Sequence, residues 1–191
     1  MRIIGLFIIA VFYIIYLGKM MLQRKKGIRT DQIARGSRRD KVYYTEIALK
    51  IATYSVVLVE VVSVFVTKIQ FPAVIVWIGV VLGMIGDFIF GTAVLTMKDN
   101  WRAGLAEDDK TQMVTNGIYG ISRNPAFLGF DCVYLSILIM FFNSVLLLFS
   151  FFAMVMLHLQ ILQEEKYLPT VFGQEYLDYQ RKVCRYIGRK H

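Results

Sequence analysis

The chain has 191 residues, of which 57% are hydrophobic and 19% are charged, and its mean hydropathy is +0.53. A soluble domain carries about 45–50% apolar and about 25% charged residues, so these values exclude an ordinary soluble domain or a disordered chain and indicate a membrane protein. Two cysteines are too few for the disulfide framework of a small secreted domain.

Five apolar segments are long enough, or nearly so, to cross a membrane as helices, which takes about 20 residues. In chain order they are residues 3–22, 44–66, 72–97, 125–142 and 145–163. Only Asn143 and Ser144 separate the last two, which predicts a tight helical hairpin. We therefore expect an all-α integral membrane fold of about five transmembrane helices, with a cytoplasmic tail helix after the hairpin.

The basic residues predict the orientation of these helices. Of the 22 Lys and Arg residues, eight lie in residues 23–41, four in 98–123 and six after residue 163. Cytoplasmic loops collect Lys and Arg, so we expect a multi-pass protein with its N-terminus outside and its C-terminus in the cytoplasm. The net charge of +8 then favours membrane lipids, and not nucleic acid, as a partner. The first segment lacks a small-residue cleavage site and is expected to remain as an anchor.

The third segment carries Gly79, Gly83 and Gly86 on one helical face, since they are spaced by four and then three residues. Such a face allows close packing of a neighbouring helix or borders a cofactor crevice. It is also a candidate contact in a homodimer.

Ionisable residues inside apolar segments are costly and are therefore candidates for function. Glu46 and Lys50, four residues apart, are expected to pair with each other, and Glu60 is expected to be structural. Asp87 faces either a polar cavity or a partner helix. His158 has no second His or Cys at ligand spacing, which favours a hydrogen-bonded core histidine and predicts no metal site.

The richest polar cluster lies at the cytoplasmic end of the hairpin. In the fourth segment, one helical face contains Asn124, Phe127, Asp131 and Tyr134. In the fifth segment, His158 shares a face with Glu165, and Gln160 shares a face with Glu164. The short turn between the two segments predicts that these faces meet. Glu164 and Glu165 then either accept hydrogen bonds from ribose hydroxyls or a cationic ligand, or are solvated charges at a helix end.

The stretch before the hairpin, residues 116–130, combines glycines with a basic residue. Gly117, Gly120 and Gly129 lie around Arg123 and Pro125. Glycines let a ligand approach the backbone closely, and an arginine can bind a carboxylate or phosphate with two parallel hydrogen bonds.

Together these motifs resemble the isoprenylcysteine carboxyl methyltransferase and phospholipid methyltransferase superfamily of integral membrane enzymes. The similarity covers about residues 100–187, and three groups of residues carry it: Gly117, Tyr119, Arg123, Asn124, Pro125, Phe127 and Gly129; the pair Glu164 and Glu165; and Leu168, Phe172, Gly173, Tyr176, Tyr179, Val183 and Arg185 in the tail. Two positions depart from the family pattern, because Asn124 replaces its histidine and Phe127 its tyrosine. An acid–base role at these two positions is therefore lost.

The resemblance implies methyl transfer from S-adenosylmethionine to a lipid-like acceptor at the cytoplasmic leaflet, most simply a carboxylate such as a prenylcysteine. Residues 1–97 would then be three transmembrane helices with a basic cytoplasmic loop, and residues 98–191 the catalytic half. The implied catalytic residues are Arg123, Asn124 and Glu165. The implied cofactor-binding residues are Gly117, Tyr119, Arg123, Asn124, Pro125, Phe127, Leu128, Glu164 and Glu165. The tail aromatic residues Phe172, Tyr176 and Tyr179 are expected either to form a lid or to lie in the membrane interface.

Three other functions stay open. A phospholipid amine N-methyltransferase would use the same cofactor. An NADPH-dependent enzyme similar to the sterol reductases, or a non-catalytic lipid-binding protein, would not bind S-adenosylmethionine.

Overall fold

A computed structural model describes residues 1–34, 41–102 and 111–190, and all its regular elements are helices in these ranges. The α-helices are α1 (Arg2–Lys25), α2 (Lys41–Val66), α3 (Ala73–Met97), α4 (Pro125–Met140), α5 (Ser144–Phe172) and α6 (Gln174–Lys182). Short 3₁₀ turns span Lys98–Asn100 and Gly117–Gly120. The all-helical prediction, with a tail helix after the hairpin, is thus confirmed.

Four of the helices, α1, α2, α3 and α5, are long and apolar enough to cross a membrane. Helix α4 has 16 residues and is a shorter apolar helix of the same bundle. Large apolar side chains such as Ile3 and Phe7 on α1 and Phe88 on α3 are exposed on the outside of the bundle. This pattern is typical of a bundle surrounded by lipid, where apolar residues need not be buried in protein.

The glycine face of α3 packs against α4. A Cβ atom added at Gly86 would lie 3.0 Å from the Gly129 carbonyl oxygen, and one added at Gly129 would lie 3.0 Å from the Gly86 carbonyl oxygen. Added Cβ atoms at Gly79 and Gly83 would also meet α4 side chains. Of the two predicted roles, close helix packing is therefore confirmed. Because α4 covers this face within the chain, the face is not free to form a homodimer contact, and a homodimer stays a prediction.

The hairpin turn is held by Asn143, which caps α5 by accepting a hydrogen bond from the Leu146 N–H at 2.9 Å. The Asn143 amide also donates to the hydroxyls of Ser63 and Thr67 at the end of α2. Helix α4 packs mainly on α3, and α5 packs mainly on α2. The hairpin thus joins two pairs of helices into one bundle.

Two predictions for polar residues in the spans have different outcomes. Lys50 does not pair with Glu46 as predicted, since its ammonium lies 2.9 Å from Asp31, while Glu46 accepts from the Ala34 N–H. Asp31 lies in the loop after α1. Residue spacing along α2 could not predict its contact with Lys50, because Asp31 is not on that helix. His158 is half-buried, and its Nδ1 atom shares a hydrogen bond with the Tyr186 hydroxyl, so it is a hydrogen-bonded histidine as expected.

Candidate active site

The loop before α4 brings Arg123 and Asn124 to the helix start. Gly117 has φ +58°, a backbone conformation that favours glycine, and it begins a 3₁₀ turn that places Tyr119 in the protein interior. Pro125 then occupies the first turn of α4, where its missing N–H costs nothing. Arg123 and Asn124 thus lie at the junction of the loop, α4 and α5.

Glu165 on α5 is the centre of a buried ionic cluster. The Arg123 Nη2 atom lies 2.9 Å from Glu165 Oε1, and both side chains are about 5% exposed (5% and 6%). Arg185 in the tail binds the same carboxylate with two nitrogens, the shorter contact being Nη2 to Oε2 at 2.8 Å. The Asn124 amide also donates to Glu165 Oε1 at 3.4 Å. Of the polar faces predicted to meet, the structure thus joins Asn124 at the start of α4 to Glu165 on α5.

The C-terminal tail returns from α6 and fastens the loop before α4. The Cys184 carbonyl accepts from the Arg123 N–H at 3.1 Å, and the Ile121 carbonyl accepts from the Gly188 N–H at 2.8 Å. The Arg185 carbonyl accepts from the Asn124 amide at 3.1 Å. Loop, tail and α5 therefore form one unit around Glu165.

A cavity of about 150 Å³ lies beside this cluster. Its polar lining includes Arg123, Asn124 and Glu164, and its walls include Phe172, Tyr176 and Tyr179. The aromatic residues of the tail thus line the cavity. We call it the donor cavity, after the methyl donor that the sequence resemblance implies.

Arg123 and Glu164 give the donor cavity its charge. Arg123 Nη2 contacts Glu165, whereas its Nε and Nη1 atoms are buried and have no hydrogen-bond partner in the described part of the chain. The Glu164 carboxylate accepts one hydrogen bond, from Gln160 Nε2 at 3.1 Å. A buried guanidinium with two unpartnered nitrogens is suited to a carboxylate ligand, and a carboxylate at the cavity wall is suited to hydroxyl or ammonium groups.

A second cavity of about 100 Å³ lies between α1, α2, α4 and α5. Its lining is largely apolar and includes Tyr13, Leu49, Tyr54, Phe127 and Phe130. Arg102 lines both cavities, and Gln160 on this side is hydrogen-bonded to Glu164 on the other. We call it the acceptor cavity, because it adjoins the donor cavity and is suited to an apolar ligand.

Three tyrosines and one arginine around the ionic cluster keep fixed charge states. The pKa of Tyr176 is raised to about 12, because burial and the nearby Glu165 carboxylate raise it more than the positive charge of Arg123 lowers it. Burial also raises the pKa of Tyr119 and of Tyr179, whose hydroxyl donates to the Tyr119 carbonyl at 2.7 Å. The hydrogen bond to Glu165 raises the pKa of Arg185. These phenols are neutral and Arg185 is charged at physiological pH.

The comparison with known families shows which family the chain belongs to. A family model described as the isoprenylcysteine carboxyl methyltransferase (ICMT) family matches residues 76–170. The chain belongs to this family. The resemblance drawn from the sequence motifs is therefore confirmed. The match contains Arg123, Glu164 and Glu165 and ends before α6.

Curated relatives agree with this family. The chain is 28% identical to the protein-S-isoprenylcysteine O-methyltransferase of Dictyostelium discoideum over 123 residues, which are 60% of this chain and 50% of that protein. It is 29% identical to a probable protein-S-isoprenylcysteine O-methyltransferase of Oryza sativa subsp. indica over 115 residues, or 56% of this chain and 58% of that protein. The enzyme of Tribolium castaneum is 28% identical over 110 residues, or 56% of this chain and 39% of that protein. The chain spans about half the length of the curated relatives it matches.

The two departures from the ICMT pattern have different surroundings. Asn124, which the sequence resemblance places where the family has a histidine, uses its amide to join α4 to Glu165 and to the tail. Phe127, at the position of the tyrosine, lines the acceptor cavity, where a phenyl ring suits an apolar ligand. The predicted residue Leu128 follows on α4 and lines neither the donor nor the acceptor cavity as the described residues form them.

Some residues of the site carried no local sequence signal. Arg185 is part of a tail motif in the sequence, but its bond to Glu165 depends on the tail returning to α5. Arg102, which lines both cavities, is in no motif that indicates this position. For Gln160, the helical spacing to Glu164 was the one available signal, and the hydrogen bond between them agrees with it.

Proposed function

We propose that this chain is a membrane methyltransferase that uses S-adenosylmethionine to methylate the carboxylate of an S-isoprenylcysteine-type acceptor. The observation that carries the proposal is the Arg123 guanidinium, which is 5% exposed, lines the donor cavity and has two buried nitrogens without a partner. Burying unpaired donors is costly, so their presence favours an anionic ligand at this place.

The residues of the donor cavity fit S-adenosylmethionine. Arg123 would hold the cofactor carboxylate, and Glu164 would accept from its ammonium or ribose hydroxyls. Tyr119, Phe172 and Tyr176 would form the walls against its apolar parts. When bound, the cofactor would supply an electrophilic methyl group, which an ionised carboxylate oxygen takes up without proton transfer as the methyl–sulfur bond breaks and S-adenosylhomocysteine leaves. Asn124 is suited to this chemistry, because no general base is needed.

Glu164 and Glu165 have different roles in this proposal. Both Glu165 oxygens are occupied by Arg123, Arg185 and Asn124. Glu165 therefore holds the two arginines in place, and its neighbour Glu164 is the carboxylate that meets the cofactor. This division retains both residues in the site and makes Glu165 a positioning residue.

The acceptor cavity is suited to the isoprenyl chain. It is lined by helices from the first half of the chain, α1 and α2, together with α4 and α5. The donor cavity, in contrast, is lined by residues from Met97 onward. We therefore propose that residues 98–191 hold the methyl donor and that the N-terminal helices complete the site for the apolar acceptor.

The orientation of the chain belongs to the same proposal, with the N-terminus outside and the C-terminus and the donor cavity on the cytoplasmic side. The Lys26 ammonium at the end of α1 lies 2.7 Å from Asp99 at the end of α3, and the tail binds the start of α4. The three segments rich in Lys and Arg thus belong to one end of the bundle, which supports this orientation.

The binding experiment that tests the proposal is calorimetric titration of the detergent-purified protein with S-adenosylhomocysteine and, separately, with NADPH. We expect micromolar binding of S-adenosylhomocysteine and no binding of NADPH. NADPH binding alone would support the reductase alternative. Binding of neither ligand would support a non-catalytic protein, and either of these results would overturn the proposal.

A further inference from the structure

Gln160 is a buried polar residue at the border of the two cavities. It lies on α5 one turn before Glu164, is completely buried and lines the acceptor cavity. Its Nε2 atom donates to Glu164 Oε1 at 3.1 Å. Its Oε1 atom is buried and has no hydrogen-bond partner in the described ranges. One half of this carboxamide is therefore satisfied and the other half is not.

The hydrogen-bond network fixes which way the carboxamide points. Gln160 Nε2 is the atom that donates to Glu164 Oε1, so the NH₂ group of Gln160 faces Glu164. The carbonyl oxygen then faces away from Glu164. A buried carbonyl oxygen that lacks a donor costs about 1–3 kcal/mol. The position therefore favours a ligand that brings an N–H or O–H group to this oxygen.

The location of Gln160 indicates which part of the ligand this is. Gln160 lines the acceptor cavity, and its partner Glu164 lines the donor cavity. A group bound to Gln160 thus lies at the end of the acceptor that is nearest the methyl donor. In an S-isoprenylcysteine within a protein, the backbone amide N–H is attached to the same carbon as the carboxylate. This N–H is the donor that such an acceptor would place beside its reacting group.

We propose that Gln160 determines acceptor specificity by accepting a hydrogen bond from the amide N–H of an S-isoprenylcysteine. The isoprenyl chain then extends along the apolar lining of the acceptor cavity, towards Phe127 and Phe130. A plain isoprenoid or fatty acid has the carboxylate and the chain but no amide, so it leaves Gln160 Oε1 unpaired. This inference rests on the proposed methyltransferase function. It adds that the protein prefers acceptors whose cysteine nitrogen is acylated, as in a peptide.

The test compares two acceptors that differ in a single group. One is N-acetyl-S-farnesylcysteine, and the other is its ester analogue, in which an oxygen replaces the amide N–H. Sites that hydrogen-bond a substrate group discriminate against analogues that lack it. We expect kcat/KM of the wild-type protein to be roughly tenfold higher for the amide than for the ester.

Variants of Gln160 connect this preference to one side chain. Gln160→Leu keeps the approximate volume and removes the oxygen, so we expect the amide-to-ester ratio to fall to near one. Gln160→Glu can share a proton with Glu164 and still present a carbonyl oxygen, so we expect it to retain most of the preference. The ratio within one variant cancels any general loss of activity or folded protein.

S-adenosylhomocysteine affinity is measured in parallel to separate the two proposals. If the wild-type protein binds this ligand but methylates amide and ester equally, or methylates neither, the role of Gln160 is wrong and the donor site stands. A preference that persists in Gln160→Leu also overturns it. If the wild-type protein does not bind S-adenosylhomocysteine, the methyltransferase proposal fails, and the role of Gln160 fails with it.

Discussion

Replacing Arg123 with alanine is expected to weaken S-adenosylhomocysteine binding by about 100-fold or more. Two buried guanidinium nitrogens line the donor cavity without a protein partner, and we assign them to the cofactor carboxylate. Hydrogen bonds to charged groups contribute about 1.5–3 kcal/mol each, so losing two of them exceeds a hundredfold change in affinity. Calorimetric titration of the purified variant measures this change.

The matched control is Arg181→Ala. Arg181 lies on the exposed side of α6, where its side chain is 75% exposed and contacts Asp178. This variant should bind S-adenosylhomocysteine as the wild-type protein does. The fold of Arg123→Ala should survive, because Glu165 keeps Arg185 as a partner. Wild-type affinity in a folded Arg123→Ala protein would refute the assignment of Arg123 to the cofactor.

Replacing Glu165 with glutamine is expected to destabilise the protein by about 3 kcal/mol or more. The substitution removes the negative charge between Arg123 and Arg185, and the Arg123 side chain is only 5% exposed. Breaking a buried ion pair at one partner costs roughly 3–5 kcal/mol, because the other charge is left buried and uncompensated. Denaturant unfolding in detergent, followed by circular dichroism, measures the free energy of unfolding.

The adjacent Glu164 provides the control for Glu165. Glu164 has no arginine within salt-bridge distance in the described residues, so Glu164→Gln should change the unfolding free energy little and reduce S-adenosylhomocysteine affinity about tenfold or more. Arg185→Met should destabilise less than Glu165→Gln, because the Arg185 side chain is 37% exposed. Equal stability of the Glu164→Gln and Glu165→Gln proteins would contradict the separate roles of these residues.

The lengths of the apolar segments and the residues that begin or end helices predicted most of the fold. Apolar segments gave the spans, Pro125 gave the start of α4, and the Asn143–Ser144 turn gave the hairpin. Spacing along one helix also predicted that Gln160 and Glu164 share a face, which their hydrogen bond confirms. These features depend on neighbours within one or two helical turns, where the sequence order fixes the geometry.

Contacts made by loops and by the tail could not be predicted in this way. Lys50 pairs with Asp31 because the loop after α1 folds towards α2, whereas helical spacing alone suggested Glu46. Arg185 meets Glu165 because the tail returns from α6. Adjacent glutamates on a helix point in directions about 100° apart. The sequence pattern therefore gave the pair Glu164 and Glu165 but not which of them meets arginines and which meets the cavity.

The central claim is methyl transfer to a carboxylate, and the most direct measurement is transfer of a labelled methyl group from S-adenosylmethionine to N-acetyl-S-farnesylcysteine. The purified protein is incubated with both, and the lipid product is treated with base to release the methyl group of an ester as methanol. We predict label in the lipid product that base releases, and a loss of this label in the Arg123→Ala protein. Label that resists base would contradict a carboxylate acceptor, and a protein that binds S-adenosylhomocysteine but transfers no label to this acceptor would contradict the proposed substrate class.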